Sequence, residues 1–411
     1  MDYLDLKYTP KEDIVCTFIL KGKEDKKTLS SKIAGESSTG TWTKVLYSKK
    51  ELNAKVFSIN KDTIKIAYPL ELFEKGNIPQ LLSSVAGNIF GMRGIDKLIL
   101  RDIDFPKKYV EAFKGPELGI SEIRKKTGIK ERPIVGTIFK PKLGMSPKQM
   151  AENAYLVFSA GLDFAKDDEN LSNQDFCKFK ERFNLITKVL DKVENERGRR
   201  PIYAINITAP YDEMVKRAEF AKENNGNCIM VDAITLGFSS LQSLLSKKWG
   251  MLIHCHRAMH GAITRSRDFG ISMLVFAKLL RLTGVTELHT GTVVGKMEGS
   301  KEEVVEINNF LRKEWFNIKP IFPTASGGLH PVLMPELIKI LGKDLMITSG
   351  GGIWGHEMGA ASGAKAMLQA VDAGVKNIPI NEYARTHKEL ESAIKSWKGF
   401  EKENYNYKIK H

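Results

Sequence analysis

The chain has 411 residues, of which 42% are hydrophobic and 27% are charged, and it carries a formal net charge of +14. This length predicts two domains or a barrel with an additional domain, and the composition is that of a globular protein. No apolar run approaches the roughly 20 residues of a membrane span, and the segment Met1–Asp5 does not begin a secretory signal. We therefore expect no membrane association.

The distribution of basic residues indicates the class of binding partner, and the cysteines indicate the cellular compartment. Lysine and arginine are spread along the chain, and no zinc finger or basic segment interleaved with aromatic residues occurs, so we expect a small anionic substrate and no nucleic acid. The cysteines lack a CxxC pair, which predicts a reducing, cytoplasmic compartment with neither a zinc site nor a disulfide frame. They are Cys16, Cys177, Cys228 and Cys255.

The segment 1–113 mixes strand-like and helical patterns, which predicts a small α+β domain with a ferredoxin-like fold. The predicted strands are Ile14–Ile19, Thr63–Tyr68 and Lys97–Ile103, and the predicted helices are Lys26–Ala34 and Ile78–Ala86. Helix- and strand-breaking residues from Phe113 to Pro116 predict the boundary to a second domain, over residues 114–411.

From Pro133 onward, apolar β-branched runs alternate with amphipathic stretches. The predicted strands are Pro133–Lys140, Leu162–Lys166, Ile202–Ile207, Cys228–Ala233, Met251–His256, Glu287–Thr292, Ile321–Ser326 and Leu345–Ser349. The predicted helices include Pro147–Phe158, Asp175–Val193, Tyr211–Glu223, Met273–Leu282, Glu302–Leu311, Val332–Leu341 and Ala361–Ala373. Eight such repeats predict a (β/α)₈ TIM barrel, because a doubly wound open sheet, the alternative, rarely reaches eight.

Reactive residues cluster where the predicted strands end, which is where barrels of this type form active sites. The clusters are Lys140–Lys142, Lys166–Glu169, His254–Arg257, His289–Thr292, Ser326–Gly328 and Ser349–Gly352. Each has a plain structural explanation when taken alone: a surface lysine pair, a salt-bridged strand end, a core histidine pair or a simple glycine turn. Their joint placement at six strand ends favours a common site.

The stretch from Gly161 to Glu169 is the most informative, because an apolar run opens onto one lysine and three carboxylates. Carboxylate oxygens at this spacing suit a hard cation such as Mg²⁺, which polarises a carbonyl and an adjacent hydroxyl. Lys140 and Lys142 are candidates for acid and base, and Lys296 lies on a loop able to close over a substrate. This set indicates proton abstraction next to a carbonyl, with a stabilised enediolate.

Several long motifs resemble the large subunit of ribulose-1,5-bisphosphate carboxylase/oxygenase (RuBisCO), and the resemblance covers nearly the whole chain. The matching segments are 136–144, 161–170, 254–260, 289–299 and 326–330 in the barrel, and 36–43 and 87–91 in the N-terminal region. The short chain and the segments 209–211 and 264–270 are most similar to the archaeal form III enzymes.

The resemblance implies a role for each site residue. CO₂ would convert Lys166 to a carbamate that holds Mg²⁺ together with Asp168 and Glu169. Lys140 would act in proton transfer with the support of Lys142, and the carbamate itself is a second candidate for the base that starts enolisation. His256 would orient the reacting hydroxyls, and Lys296 would stabilise the carboxylate formed by CO₂ addition. The second phosphate or the sugar hydroxyls would be bound by Arg257, His289 and Ser326. The first phosphate would be bound by Thr41, Trp42, Gly328, Gly350 and Gly351.

The resemblance also implies an assembly and an activity. Glu36, Thr41, Trp42 and Asn88 would reach the site of a partner subunit, so a homodimer or a larger assembly of dimers is expected, without a small subunit. The expected reaction is carboxylation of ribulose-1,5-bisphosphate by CO₂ to two 3-phosphoglycerates, with O₂ as a side substrate, in AMP salvage.

The alternative function is that of a RuBisCO-like enolase or isomerase acting on a related sugar phosphate. Proteins of that kind keep the metal site and lose some carboxylation residues, whereas this chain retains Lys142, Lys296, Glu36 and Asn88. Two positions depart from the carboxylase pattern. Thr348 stands where glutamine is usual, and Glu357 stands where proline is usual.

Overall fold

The protein, described by a computed structural model over residues 3–41, 43, 47, 49–295 and 300–397, begins with a βαββαβ unit. Its elements are β1 (Ile14–Gly22), α1 (Lys26–Glu36), β2 (Lys55–Asn60), β3 (Thr63–Tyr68), α2 (Ile78–Val85) and β4 (Ile95–Asp104). The strands are antiparallel in the order β4-β1-β3-β2. Alternate residues of β1 are buried from Ile14 to Leu20, as a sheet with one face on a core requires. The predicted ferredoxin-like α+β domain is confirmed.

Two short helices, α3 (Lys107–Val110) and α4 (Ile120–Thr127), lead to eight parallel strands that close into a barrel. The barrel strands are β5 (Ile134–Ile138), β6 (Phe164–Lys166), β7 (Ile202–Asn206), β8 (Cys228–Asp232), β9 (Leu252–His256), β11 (Glu287–Gly291), β12 (Phe322–Ser326) and β13 (Met346–Ser349). Each predicted barrel strand overlaps one of them, so the TIM barrel is confirmed. Strands β7 and β8 are buried throughout because helices cover the outside of the barrel.

The helices that surround the barrel follow the predicted alternation. They are α5 (Pro147–Ser159), α6 (Phe179–Arg197), α7 (Tyr211–Glu223), α8 (Ala233–Leu236), α9 (Phe238–Leu245), α10 (His260–Thr264), α11 (Met273–Thr283), α12 (Lys301–Arg312), α13 (Met334–Leu341), α14 (Gly351–Trp354), α15 (Ala360–Lys376), α16 (Ile380–Tyr383) and α17 (Lys388–Trp397). Short 3₁₀ turns are Lys50–Leu52, Leu70–Leu72, Asn88–Gly91, Pro331–Leu333 and Ala384–Thr386. No helix in these described ranges is long and apolar enough to cross a membrane.

One strand departs from the alternation. Strand β10 (Phe269–Ile271) lies between β9 and α11 in sequence, yet it pairs in parallel with β4 and becomes the fifth strand of the N-terminal sheet. The chain after β9 therefore leaves the barrel, joins the other sheet and returns as α11.

The barrel interior is divided along its axis into an apolar end and a polar end. Phe164, Met230 and Phe322 belong to a buried apolar cluster inside the barrel, which also includes Ile123 of α4. The strands run parallel, so their C-terminal ends meet at the opposite end of the barrel. The polar strand-end residues are therefore collected at that end.

Candidate active site

A cleft of about 550 Å³ opens at the C-terminal ends of the barrel strands. Its lining joins residues from strand ends and loops that are far apart in sequence, as expected for this end of the fold. The predicted site residues that line it are Lys140, Lys142, Lys166, Asp168, Glu169, His256, Arg257, His289, Ser326, Gly328, Gly350 and Gly351. Twelve predicted positions thus share one cavity.

Lys166 is the last residue of β6, and its side chain is almost completely buried. Its Nζ donates to the carbonyl of Asp167 at 2.9 Å and lies 3.7 Å from Oε2 of Glu169. Burial lowers the pKa of Lys166, because removal from water penalises the ammonium form, and the nearby carboxylates oppose this effect only in part. The amine of Lys166 is therefore more easily deprotonated than that of an exposed lysine.

Asp168 and Glu169 follow β6 and face the two lysines of the loop after β5. Lys140 Nζ lies 3.2 Å from Oδ2 of Asp168. Lys142 Nζ lies 3.9 Å from Oδ1 of Asp168 and 3.5 Å from Oε1 of Glu169. Glycine at position 350 allows the close approach of Lys140, since a Cβ there would lie 3.0 Å from Cε of that lysine.

The carboxylate of Asp167 points away from the cleft into a buried ion pair. Arg182 of α6 donates to its Oδ2 from Nη2 at 3.1 Å and from Nε at 3.2 Å, and both side chains are fully buried. Tyr203 donates to Oδ1 at 2.6 Å, and the backbone N–H of Asn206 donates to Oδ2 at 3.0 Å. Asp167 therefore anchors the end of β6 and has no free oxygen for the cleft.

Two histidines at the cleft are held by oxygen atoms. His256, at the end of β9, has its Nδ1 at 2.9 Å from Oδ1 of Asp232, and its Nε2 lies 3.7 Å from Oε2 of Glu169. Nδ1 of His289 lies 2.8 Å from Oγ of Ser326. Burial lowers the pKa of both rings, that of His289 the more strongly, because removal from water penalises the imidazolium form.

Glycine-rich turns form the rim after β12 and β13. Gly327 and Gly328 have φ angles of 107° and 69°, which lie in the left-handed region that favours glycine. A Cβ at Gly352 would lie 2.3 Å from the carbonyl oxygen of Leu329, so the two turns pack too closely for a side chain there. The rim therefore presents backbone groups to the cleft.

The described site residues predicted in the N-terminal domain, Glu36, Thr41 and Asn88, are absent from the lining of this cleft. Asn88 Nδ2 donates to Oε1 of Glu36 at 3.4 Å, so these two lie together at an exposed position. Thr41 is exposed, with its hydroxyl 3.4 Å from that of Thr43. Trp42 and Lys296 lie outside the described residues.

Comparison with known proteins identifies the family. Family models described as the ribulose bisphosphate carboxylase large chain match residues 2–109 (N-terminal domain) and 119–397 (catalytic domain). The chain is 46% identical to a ribulose bisphosphate carboxylase of Methanocaldococcus jannaschii, over 97% of this chain and 100% of the relative. This chain belongs to the ribulose bisphosphate carboxylase large-chain family. The sequence-based prediction of the family and of its class of enzyme is confirmed.

Solved structures of archaeal members share the whole fold. An octameric Rubisco from Pyrococcus horikoshii OT3, solved as a sulfate complex, superposes with a TM-score of 0.94 at 43% identity, over 96% of each chain. A dimeric Rubisco from Hyperthermus butylicus gives a TM-score of 0.90 at 39% identity, over 96% of this chain and 98% of the other.

The two departures from the family pattern occupy different environments. Thr348 lines the cleft, and its buried hydroxyl has no hydrogen-bond partner among the described residues. Glu357 lies outside the cleft lining and accepts hydrogen bonds from Ser392 and Ser396 of α17. Thr348 is therefore the departure that bears on the site.

Sequence reasoning missed several residues that shape the cleft. Asp232 ends β8, and a carboxylate at a strand end was a signal available in the sequence. Trp397, at the end of α17, lines the cleft and stacks on His330, with ring centroids 4.7 Å apart. No local pattern indicates that contact, because the two rings belong to distant parts of the sequence.

Proposed function

We propose that this chain catalyses the Mg²⁺-dependent carboxylation of ribulose-1,5-bisphosphate to 3-phosphoglycerate, with oxygenation as a side reaction. The observation that carries the proposal is the position of Lys166, a buried lysine at the base of a cleft beside Asp168 and Glu169. Relatives at 43–46% identity are named ribulose bisphosphate carboxylase. We propose AMP salvage as the context of this reaction, an extension that rests on the resemblance to the form III enzymes.

The chemistry of these three residues fits a hard cation once Lys166 is modified. No group of three or more His, Cys, Asp or Glu residues in the described ranges is arranged to hold a metal ion. Two carboxylates are present beside an amine whose pKa burial lowers, and addition of CO₂ to the neutral amine, with release of a proton, would supply a third anionic oxygen donor. Asp168, Glu169 and carbamylated Lys166 would hold Mg²⁺, which polarises the substrate carbonyl and its neighbouring hydroxyl.

The chain's own side chains account for binding and proton transfer. Lys140 and Lys142 place amines within 4 Å of the carboxylates, where they can donate or accept a proton at the reacting carbons. His256 is fixed by Asp232 and can orient a hydroxyl. Arg257, His289, Ser326 and the glycine-rich rim would bind the anionic groups of the substrate.

The decisive experiment is incubation with labelled bicarbonate, Mg²⁺ and ribulose-1,5-bisphosphate. Labelled 3-phosphoglycerate is expected. Consumption of the substrate without labelled product would contradict the carboxylase function and leave the enolase or isomerase alternative.

The carbamate has a test that needs no turnover. After equilibration with ¹³C-bicarbonate, the protein should show a carbamate carbon signal in its NMR spectrum. Lys166→Ala should lose both this signal and all activity, even in excess Mg²⁺, whereas Lys142→Ala should keep the signal. A signal that persists in Lys166→Ala would rule out this residue.

The site is proposed to be completed by a partner subunit. Glu36 and Asn88 lie together, exposed and away from the cleft of their own chain. Co-expression of a Lys166→Ala chain with an Asn88→Ala chain should restore part of the activity, because a mixed dimer contains one intact site. If each site were built from one chain, the mixture would be as inactive as its components.

A further inference from the structure

Gly291 lies against the guanidinium group of Arg257 at the wall of the cleft. Gly291 is the last residue of β11, and Arg257 directly follows β9, the neighbouring strand of the barrel. A Cβ atom on Gly291 would lie 2.7 Å from Nη2 of Arg257 and 3.7 Å from its Cζ. Real Cβ atoms essentially never make contacts below 3.0 Å, so a side chain at position 291 would force Arg257 out of its present place.

The backbone of Gly291 favours glycine for a second, independent reason. Its φ angle is 91°, in the left-handed region, so any other residue would be strained there whatever its neighbours are. Gly198, at the end of α6, has a φ angle of 70°, and a Cβ atom there would meet nothing within 4 Å. A comparison of these two glycines therefore separates backbone strain from the contact with Arg257.

Arg257 carries a charge that a bound anion would complement. Its side chain lines the cleft and also a second cavity of about 280 Å³. Burial lowers the pKa of Arg257 to about 10, because removal from water penalises the guanidinium charge, and the carboxylate of Glu303 offsets only part of this effect. The planar guanidinium has paired N–H donors that match the oxygen atoms of a phosphate or carboxylate, provided that the group is correctly oriented.

A clash at position 291 would be relieved by movement of Arg257 and not of the barrel. Nη2 is the far end of a flexible side chain, whereas the backbone of β11 is held by pairing with β9 and β12. Such a movement costs little folding free energy, yet a displacement of about 1 Å at a binding group can change its effect about 100-fold. An alanine at position 291 should therefore affect ligand binding more than stability.

We propose that Gly291 is a positioning residue, because the absence of a side chain there lets the Arg257 guanidinium lie at the cleft wall where it binds an anionic group of the ligand. A phosphate is such a group, and its assignment to ribulose-1,5-bisphosphate rests on the proposed function. The steric relation between Gly291 and Arg257 does not depend on that function.

Calorimetric titration with inorganic phosphate at low ionic strength tests the proposal without turnover. Arg257→Ala measures the part of the affinity that depends on the guanidinium, and Gly291→Ala should lose most of the same part, about 10- to 100-fold. Gly198→Ala should bind phosphate as the wild type does. Wild-type affinity in Gly291→Ala, or a wild type that does not bind phosphate, would overturn the proposal. Failure of the carboxylation assay would leave this result unaffected.

A double-mutant cycle shows whether the alanine acts through Arg257. In the Arg257→Ala background no Nη2 remains to be displaced, so Gly291→Ala should change the phosphate affinity by less than about twofold. Multiplying effects of the two substitutions would show that the alanine acts through the backbone of β11 alone, and the proposal would fall.

Kinetics with ribulose-1,5-bisphosphate give a readout that a merely structural role would not move. Gly291→Ala should raise KM about 10- to 100-fold with a smaller change in kcat, while its Tm should fall no further than that of Gly198→Ala. An unchanged KM together with a much larger fall in Tm would mean that Gly291 serves only the fold, contrary to the proposal.

Discussion

Replacement of Arg182 by methionine should destabilise the protein strongly, because it leaves the Asp167 carboxylate buried without its counter-charge. The two charges meet at 3.1 Å with both side chains inaccessible to solvent. Removal of one partner from such a pair costs about 3–5 kcal/mol. The guanidinium also donates to the carbonyl groups of Cys177 and Ser172, each at 2.9 Å, and these acceptors would lose their partner.

The assay is thermal unfolding at constant pH and protein concentration. For a chain of this length, the loss corresponds to roughly 3 to 6 °C in Tm. Arg200→Met is the matched control, since Arg200 pairs with Asp191 and Glu194 at the surface and should cost at most about 1 kcal/mol. The reasoning would be refuted if the two variants lowered Tm equally.

A double variant separates the charge from the packing. Asp167→Asn combined with Arg182→Met removes both charges, while the asparagine oxygen can still accept from Tyr203. The double variant should be more stable than Arg182→Met alone, because no unpaired charge remains buried. Equal stability would indicate that lost packing, and not the uncompensated carboxylate, causes the effect.

Two further predictions concern histidines near the cleft. Burial lowers the pKa of His330 to about 4, against about 6.5 in an unfolded chain. The neutral ring therefore contributes its full stabilisation above about pH 6.5. About 3 kcal/mol of the free energy of unfolding is lost as the pH falls from there toward 4. His330→Phe keeps a ring on Trp397 and should therefore show a smaller fall in Tm between pH 7 and pH 4.5 than the wild type; an equal fall would contradict this. Asp232→Asn should lower kcat/KM about 10- to 100-fold at unchanged Tm, since it removes the carboxylate that positions the His256 ring. Steady-state kinetics within about twofold of the wild type would count against that role.

The barrel could be predicted from sequence because its signal is local. Apolar runs and helical periodicity repeat eight times, and helix α7 was predicted with the bounds that the structure shows, Tyr211–Glu223. Helix α6 begins at Phe179 and not at Asp175, because Asn173 accepts from the backbone N–H of Phe179 and ends the preceding loop there. Such a cap involves a side chain from the preceding loop, which periodicity does not reveal.

The site was predictable only in part, and the reason is again the range of the interactions. Strand ends are visible in the sequence, so the cleft residues from Lys140 to Gly351 were found together. The partner of Asp167 lies on the helix that follows, and the carboxylate of Glu287 meets His254 from the neighbouring strand of the barrel. These pairs depend on how neighbouring strands and helices align, and a single sequence carries no local record of that alignment.

Because of strand β10, the N-terminal domain cannot be expressed alone with its sheet complete. This short strand from the middle of the barrel sequence pairs with β4, and the backbone N–H of Leu98 donates to the carbonyl of Asp268 at 2.7 Å. A fragment ending near residue 113 would leave the edge of β4 open, and an open edge is a template for aggregation. The segment from Arg257 to Asp268, which includes cleft residues, is tied to the barrel at one end and to the N-terminal sheet at the other. Any displacement of the small domain would therefore pull directly on the wall of the cleft.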